Sequence, residues 1–220
     1  MLTKIEKATY VILAAFFAVS VYFGITDEKF FNDVITTEDG VVEYGTAVFL
    51  FLIAALSAYR LYTLGKHKSF TWKLGVLAFV LLFIFGAGEE ISWGQRIFGI
   101  ESSEYFLENN AQKETNLHNL VVGGKKVNKV IFSQLLMVIM VIYLIVTPIL
   151  YRKKQWVRDL MDRFAVPVVQ WHHTIAFLVC TALVSIIPAE RKWEIYELAF
   201  GVIFLLIFLN PLNKAIFKRS

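Results

Sequence analysis

Between Lys73 and Glu89 the chain runs through LGVLAFVLLFIFGAG without a single charge. A helix that is apolar all round has no face to offer water, so a bilayer or the heart of a large protein is its natural setting. Similar blocks recur at about 8–26, 44–64, 70–94, 130–151, 165–187 and 193–210. Each is close to the roughly 20 residues that carry a helix across ~30 Å of hydrocarbon. Hydrophobic residues make up 57% of the chain and charged ones 18%, against about 45–50% and 25% in soluble domains. The expectation is an all-α polytopic bundle of six transmembrane helices, a single integral membrane domain over residues 1–220. The lipid bilayer is then its first partner.

Lys4 and Lys7 ahead of the first block resemble the start of a signal peptide. A run of full span length with five more behind it reads instead as a retained helix. The lone cysteine, Cys180, sits within the fifth block. It can form no intramolecular disulfide and reads as a small packing residue.

Basic residues in short loops set orientation. Alternate segments carry Lys4 and Lys7; Arg60, Lys66, Lys68 and Lys73; Arg152, Lys153, Lys154, Arg158 and Arg163; and Lys214, Lys218 and Arg219. Those segments hold three acids, Glu6, Asp159 and Asp162, whereas the opposite side holds the rest of the 18. Both termini are therefore expected in the cytoplasm. The net charge of +4 and the pI near 9.1 reflect this two-sidedness, and nucleic acid is not an expected partner. Residues 151–164 place Trp156, Val157, Leu160, Met161 and Phe164 on one helical face, with charges on the other. That is the pattern of a basic amphipathic helix lying along the cytoplasmic interface.

VVEYGTAVFLFL (41–52) and IYELAFGVIFLL (195–206) each set a glutamate just inside an apolar run. The echo fits a duplicated hairpin, and equally fits a carboxylate favoured by the dipole at a helix start.

Chemistry concentrates where the third block ends, in GAGEEISWGQRIFG (86–99). At ~1.5 Å of rise per residue, Glu89 and Glu90 fall near the far interface. Ionised carboxylates there belong in the bundle interior or a wet cavity. On a continued helix Glu89, Trp93 and Arg96 share a face, and Gly94 offers a stop. Residues 102–110 suit a short outer-loop helix capped by Ser102 or Ser103. In AQKETNLHNL (111–120), Gln112, Glu114, Asn116 and His118 alternate, which puts them on one side of an extended segment. Glu43, Glu194 and Glu197 lie at neighbouring helix mouths.

These residues define one expected outer-face pocket. Glu89 and Glu90 form an acid–base pair, since two close carboxylates repel and one holds its proton. His118 is a base or ligand and Arg96 a two-pronged anion clamp. Trp93, Gln95, Asn116 and Asn119 position a substrate, with Glu43 and Glu197 on the rim. Glu89, Glu90, Glu114 and His118 are also the candidate ligands for a divalent metal ion that would activate water.

EEISWGQRIFG followed by NNAQKETNLHNL resembles a pattern in an uncharacterised family of multi-pass bacterial inner-membrane proteins, E-E-x-S-W-G-Q-R then N-x-Q-x-E-x-N-L-H-N. The resemblance implies a bacterial inner-membrane location and brings no activity with it.

Three functional classes follow. The first is an acid/base or metal-assisted enzyme acting on a lipid or lipid-linked substrate. The second is a structural or sensing subunit, in which the same polar groups fix helix packing beside a membrane partner. The third is a cation channel or transporter, which would need a homo-oligomer because the spans are nearly free of polar residues. His172 and His173 fall near the opposite interface. Adjacent side chains diverge by about 100° on a helix, which argues against a shared metal and for packing beside Trp171.

Overall fold

The computed structural model describes residues 2–117, 119–122, 125–126 and 135–219. Helix α1 (Lys4–Thr26) starts four residues ahead of the apolar block. The start is set by a capping box: the Thr3 hydroxyl accepts from the Glu6 N–H, and the Glu6 carboxylate accepts from the Thr3 N–H. Both satisfy donors that a helix start leaves open. A short helix α2 (Glu28–Phe30) and a π turn (Phe31–Ile35) lead into α3 (Val41–Leu64). Helix α4 (Phe70–Glu90) follows, capped by Ser69. Two short helices, α5 (Gln95–Phe98) and α6 (Glu104–Asn109), precede a hairpin of β1 (Val121–Val122) and β2 (Lys125–Lys126), in which Val121 pairs with Lys126.

Helices α7 (Leu136–Val141) and α8 (Thr147–Lys153) are one continuous rod interrupted by a π turn at Ile142–Val146. The interruption has a local cause. Pro148 has no N–H to give the carbonyl four residues back, that of Leu144. The hydroxyl of Thr174, on a neighbouring helix, donates to that carbonyl at 2.9 Å. Helix α9 (Gln155–Arg163) is the amphipathic segment, with Val157 buried and Trp156 and Leu160 exposed. Helices α10 (Trp171–Ser185) and α11 (Lys192–Leu209) complete the bundle. The start of the expected fourth span, 130–134, lies outside the described residues.

Among the described residues, four helices, Lys4–Thr26, Val41–His67, Phe70–Glu90 and Leu136–Lys153, are long and apolar enough to cross a membrane. Their outward surfaces are correspondingly greasy: Val11, Ile12, Phe51, Leu81 and Met137 are all exposed. An apolar exterior of this extent points to a lipid-facing protein. The core lies between α1, α3, α4, α10 and α11, around Phe17, Ile53, Phe83, Phe177 and Ile203. The two echoed segments pack on each other. A Cβ at Gly201 would meet Phe49, and one at Gly45 would meet Leu198, each at 3.0 Å.

Candidate functional site

Helix α4 stops earlier than its apolar block, and the stop builds the site. After Glu90 the backbone turns left-handed for three residues, with φ of 45° at Ser92, 55° at Trp93 and 77° at Gly94. Glycine adopts this conformation freely, whereas serine and tryptophan each pay about 1–2 kcal/mol for it. Side-chain bonds hold the turn. Trp93 Nε1 donates to Glu89 Oε1 at 2.9 Å, and its ring lies over Gly88, where a Cβ would clash at 2.8 Å. The Ser92 hydroxyl donates to Glu114 and accepts from Asn116 Nδ2.

The loop over residues 110–117 folds back onto this turn. The Leu117 N–H donates to Glu89 Oε2 at 2.7 Å, and the Thr115 N–H donates to Gln95 Oε1 at 2.7 Å. Asn116 Nδ2 also reaches Glu114 at 3.0 Å. Asn110 ties the loop base by accepting from the Gln112 and Glu114 N–H groups. Glu89, Ser92, Glu114 and Asn116 are all buried, and the bonds above satisfy them as buried polar groups require.

Arg96 stands at the edge of this node. One arm of its guanidinium bonds to Asp39 and the other to Glu114, with Glu38 3.7 Å away. Partial burial works against its charge, but the Asp39 hydrogen bond and the surrounding carboxylates outweigh that and hold it above its ordinary pKa. Two open grooves flank the pair. One, of about 510 Å³, has Asp39 at its mouth and Val41, Tyr44, Val48 and Phe49 along its wall. The other, of about 570 Å³, is lined by Gln95, Arg96, Ile100, Glu101, Ser102 and Leu107.

The sequence-expected residues thus fall into two groups. Glu89, Trp93, Gln95, Arg96, Glu114 and Asn116 meet in one node. Asn119 borders it, its N–H donating to Asn116 Oδ1 at 3.2 Å and its amide to Gln112. Glu90, like Glu43 and Glu194, lies within electrostatic reach of Glu197. Glu43 also caps the loop before α3 by accepting from the Asp39 N–H at 2.9 Å. His118 lies outside the described residues. Among the described residues Glu89, Glu90 and Glu114 do not converge as a set of metal ligands. Asp39, Glu38 and Ser92 complete the node without having been singled out.

A second polar node occupies the opposite end of α1. Glu6 is 1% exposed and His173 is fully buried. His172 Nε2 and His173 Nε2 lie 2.9 and 3.1 Å from the same oxygen, Glu6 Oε1. Asn210 Nδ2 reaches both carboxylate oxygens, at 3.0 and 3.1 Å. The divergence expected of adjacent histidines is not what the structure has: the two ring centroids lie 4.1 Å apart, and both Nε2 atoms face the carboxylate that α1 brings to them. Its one advance signal was the Thr3-x-x-Glu6 capping box. The same end is stitched further by Gln170, which donates to the Asn210 carbonyl, and by Asn213, which bridges Val168 and Asp162.

The fold and the two nodes define a helical membrane protein with a buried polar cluster at each end of the bundle. Comparison with protein-family models, curated proteins and solved structures gave no match.

Proposed function

We propose that the chain is a six-pass bacterial inner-membrane protein, with both termini cytoplasmic, that handles an amphiphile at its extracytoplasmic end. Helices α10 and α11 are the fifth and sixth spans in this reading, and α9 lies along the inner interface. The carrying observation is the Arg96–Asp39 pair, set between two open grooves. The groove along Tyr44, Val48 and Phe49 suits an acyl or prenyl chain. Arg96 suits a phosphate or carboxylate head, which would take the place of Glu38, its most distant carboxylate partner. Asp39 and Glu114, which already touch Arg96, supply the acid–base groups nearest that head, with Glu89 behind them, Trp93 and Gln95 position it, and a lipid or lipid-linked molecule is the substrate class.

The saturation of the Glu89 node favours a second reading, a structural or sensing subunit in which the same bonds serve only to fix the loop. One experiment separates the two. Protein extracted gently into detergent is analysed for bound lipid by native mass spectrometry, alongside Arg96→Gln. The amphiphile reading expects a defined anionic or zwitterionic adduct on the wild type that Arg96→Gln loses while staying monodisperse. Identical adducts on both proteins, or none on either, would favour the subunit reading. The orientation is tested separately in a Cys180→Ser background. Glu101→Cys should react with an impermeant maleimide in intact cells and Lys153→Cys should not.

A further inference from the structure

The amphiphile reading makes no use of the Glu6 node, yet the node has the makings of a metal centre. Glu6 Oε1, His172 Nε2 and His173 Nε2 all lie within 4.8 Å of one another, and no other such trio of possible ligands occurs among the described residues. Two of the separations are 2.9 and 3.1 Å. First-row divalent ions bind imidazole nitrogen and carboxylate oxygen at about 2.0–2.2 Å, which sets neighbouring ligands roughly 3 Å apart in octahedral geometry and slightly further in tetrahedral. With the third separation below 4.8 Å, the three atoms can close on a common ion.

Hydrogen bonding alone leaves the node overcrowded. Oε1 faces three nitrogens, His172 Nε2, His173 Nε2 and Asn210 Nδ2. Without an ion each would have to donate to it, whereas a carboxylate oxygen offers two lone pairs. A cation removes the conflict. Both rings then turn Nε2 lone pairs toward the ion, and Oε1 needs to accept only from Asn210. Nothing else orients His173 by hydrogen bonding, since its Nδ1 is buried without a partner.

The surrounding groups behave as an outer shell. Oε2 accepts from the Thr3 N–H at 2.7 Å and the Thr3 hydroxyl at 2.9 Å, and Asn210 spans both oxygens. These bonds fix the carboxylate with Oε1 toward the rings, as outer-shell partners do in metal sites. Glu6 and His173 are sealed from solvent, while the His172 side chain, 25% exposed, marks the way in. We propose that Glu6, His172 and His173 bind one divalent transition-metal ion of the zinc or ferrous type, as two imidazoles and a carboxylate favour. The ion clasps α1 to α10.

The test uses the full-length protein in detergent, stripped with a chelator and titrated with Co²⁺, followed by visible d–d absorption and then Zn²⁺ competition. The expected result is one equivalent of Co²⁺ bound and displaced by Zn²⁺. Glu6→Gln and His173→Ala should each weaken binding by more than about 100-fold, and Asn210→Ala by about 10-fold, the scale of an outer-shell loss. His172→Gln guards against misfolding, because its side chain is the most exposed of the three. It should keep the elution profile and melting temperature of the metal-free wild type and lose the Co²⁺ spectrum. A wild type without d–d bands, or a His172→Gln protein that binds Co²⁺ like the wild type, overturns the proposal.

Discussion

The Glu89 node draws most of its partners from one stretch, residues 89–117, with Glu38 and Asp39 reaching in from a loop. The Glu6 node joins residues 166, 167 and 204 positions apart. The first organises a turn and the loop above it. The second joins the first helix to the fifth and sixth long segments, so its loss is felt across the bundle. Two polar clusters of similar make-up thus serve different scales of structure. Sequence separation, more than chemistry, sets the scale.

That contrast can be broken most directly by removing Glu6. Glu6→Leu strands His173, Asn210 and the Thr3 N–H, and losing one partner of a buried polar set costs about 3–5 kcal/mol. A global fall in melting temperature of roughly 10 °C is expected at this chain size, measured in detergent. If instead only α1 loosens while the rest melts as before, the node is local after all. Next is Glu114→Gln, which removes the buried carboxylate shared by Ser92, Asn116 and Arg96. The expected loss is about 2 kcal/mol, with amide exchange rising at residues 110–117 and unchanged at 171–175. Exchange rising equally in both regions would erase the distinction.

Smaller changes sharpen it. Arg96→Lys trades a fork that spans Asp39 and Glu114 for a point charge. For this partly exposed site the loss should be about 1 kcal/mol or less, again confined to the 110–117 loop. Ala165, fully buried between α9 and α10, has φ of 53°. Ala165→Gly relieves a left-handed alanine and should raise stability by about 0.5–1 kcal/mol, seen as a higher melting temperature. An unchanged or lower value would mean that the alanine methyl packs well enough to offset its backbone.

How much of this was legible beforehand follows the same division. The apolar blocks announced the long helices, because hydrophobic content needs no knowledge of partners. The amphipathic α9 was visible in its alternation of Trp156, Val157 and Leu160 with charged neighbours. Glu89, Trp93, Gln95, Arg96, Glu114 and Asn116 could be grouped from their closeness in sequence and their types. The stop of α4 at Glu90 could not. A continued helix was the reasonable expectation, since no propensity scale places tryptophan at positive φ. The partners of Arg96 were missed because Glu38 and Asp39 belong to another loop. Glu6 read as one more surface charge among basic residues. Only the packing of α1 beside α10 and α11 gives it two imidazoles and an amide.

The Thr3–Glu6 box carries a consequence for how the chain is made. Glu6 leaves the ribosome 204 residues ahead of its last partner, Asn210. Until His172 and His173 follow, the Thr3 backbone and hydroxyl are, among the described residues, the groups its carboxylate hydrogen-bonds. The box therefore acts as a chaperone in miniature, keeping a charge satisfied until the later helices arrive to claim it.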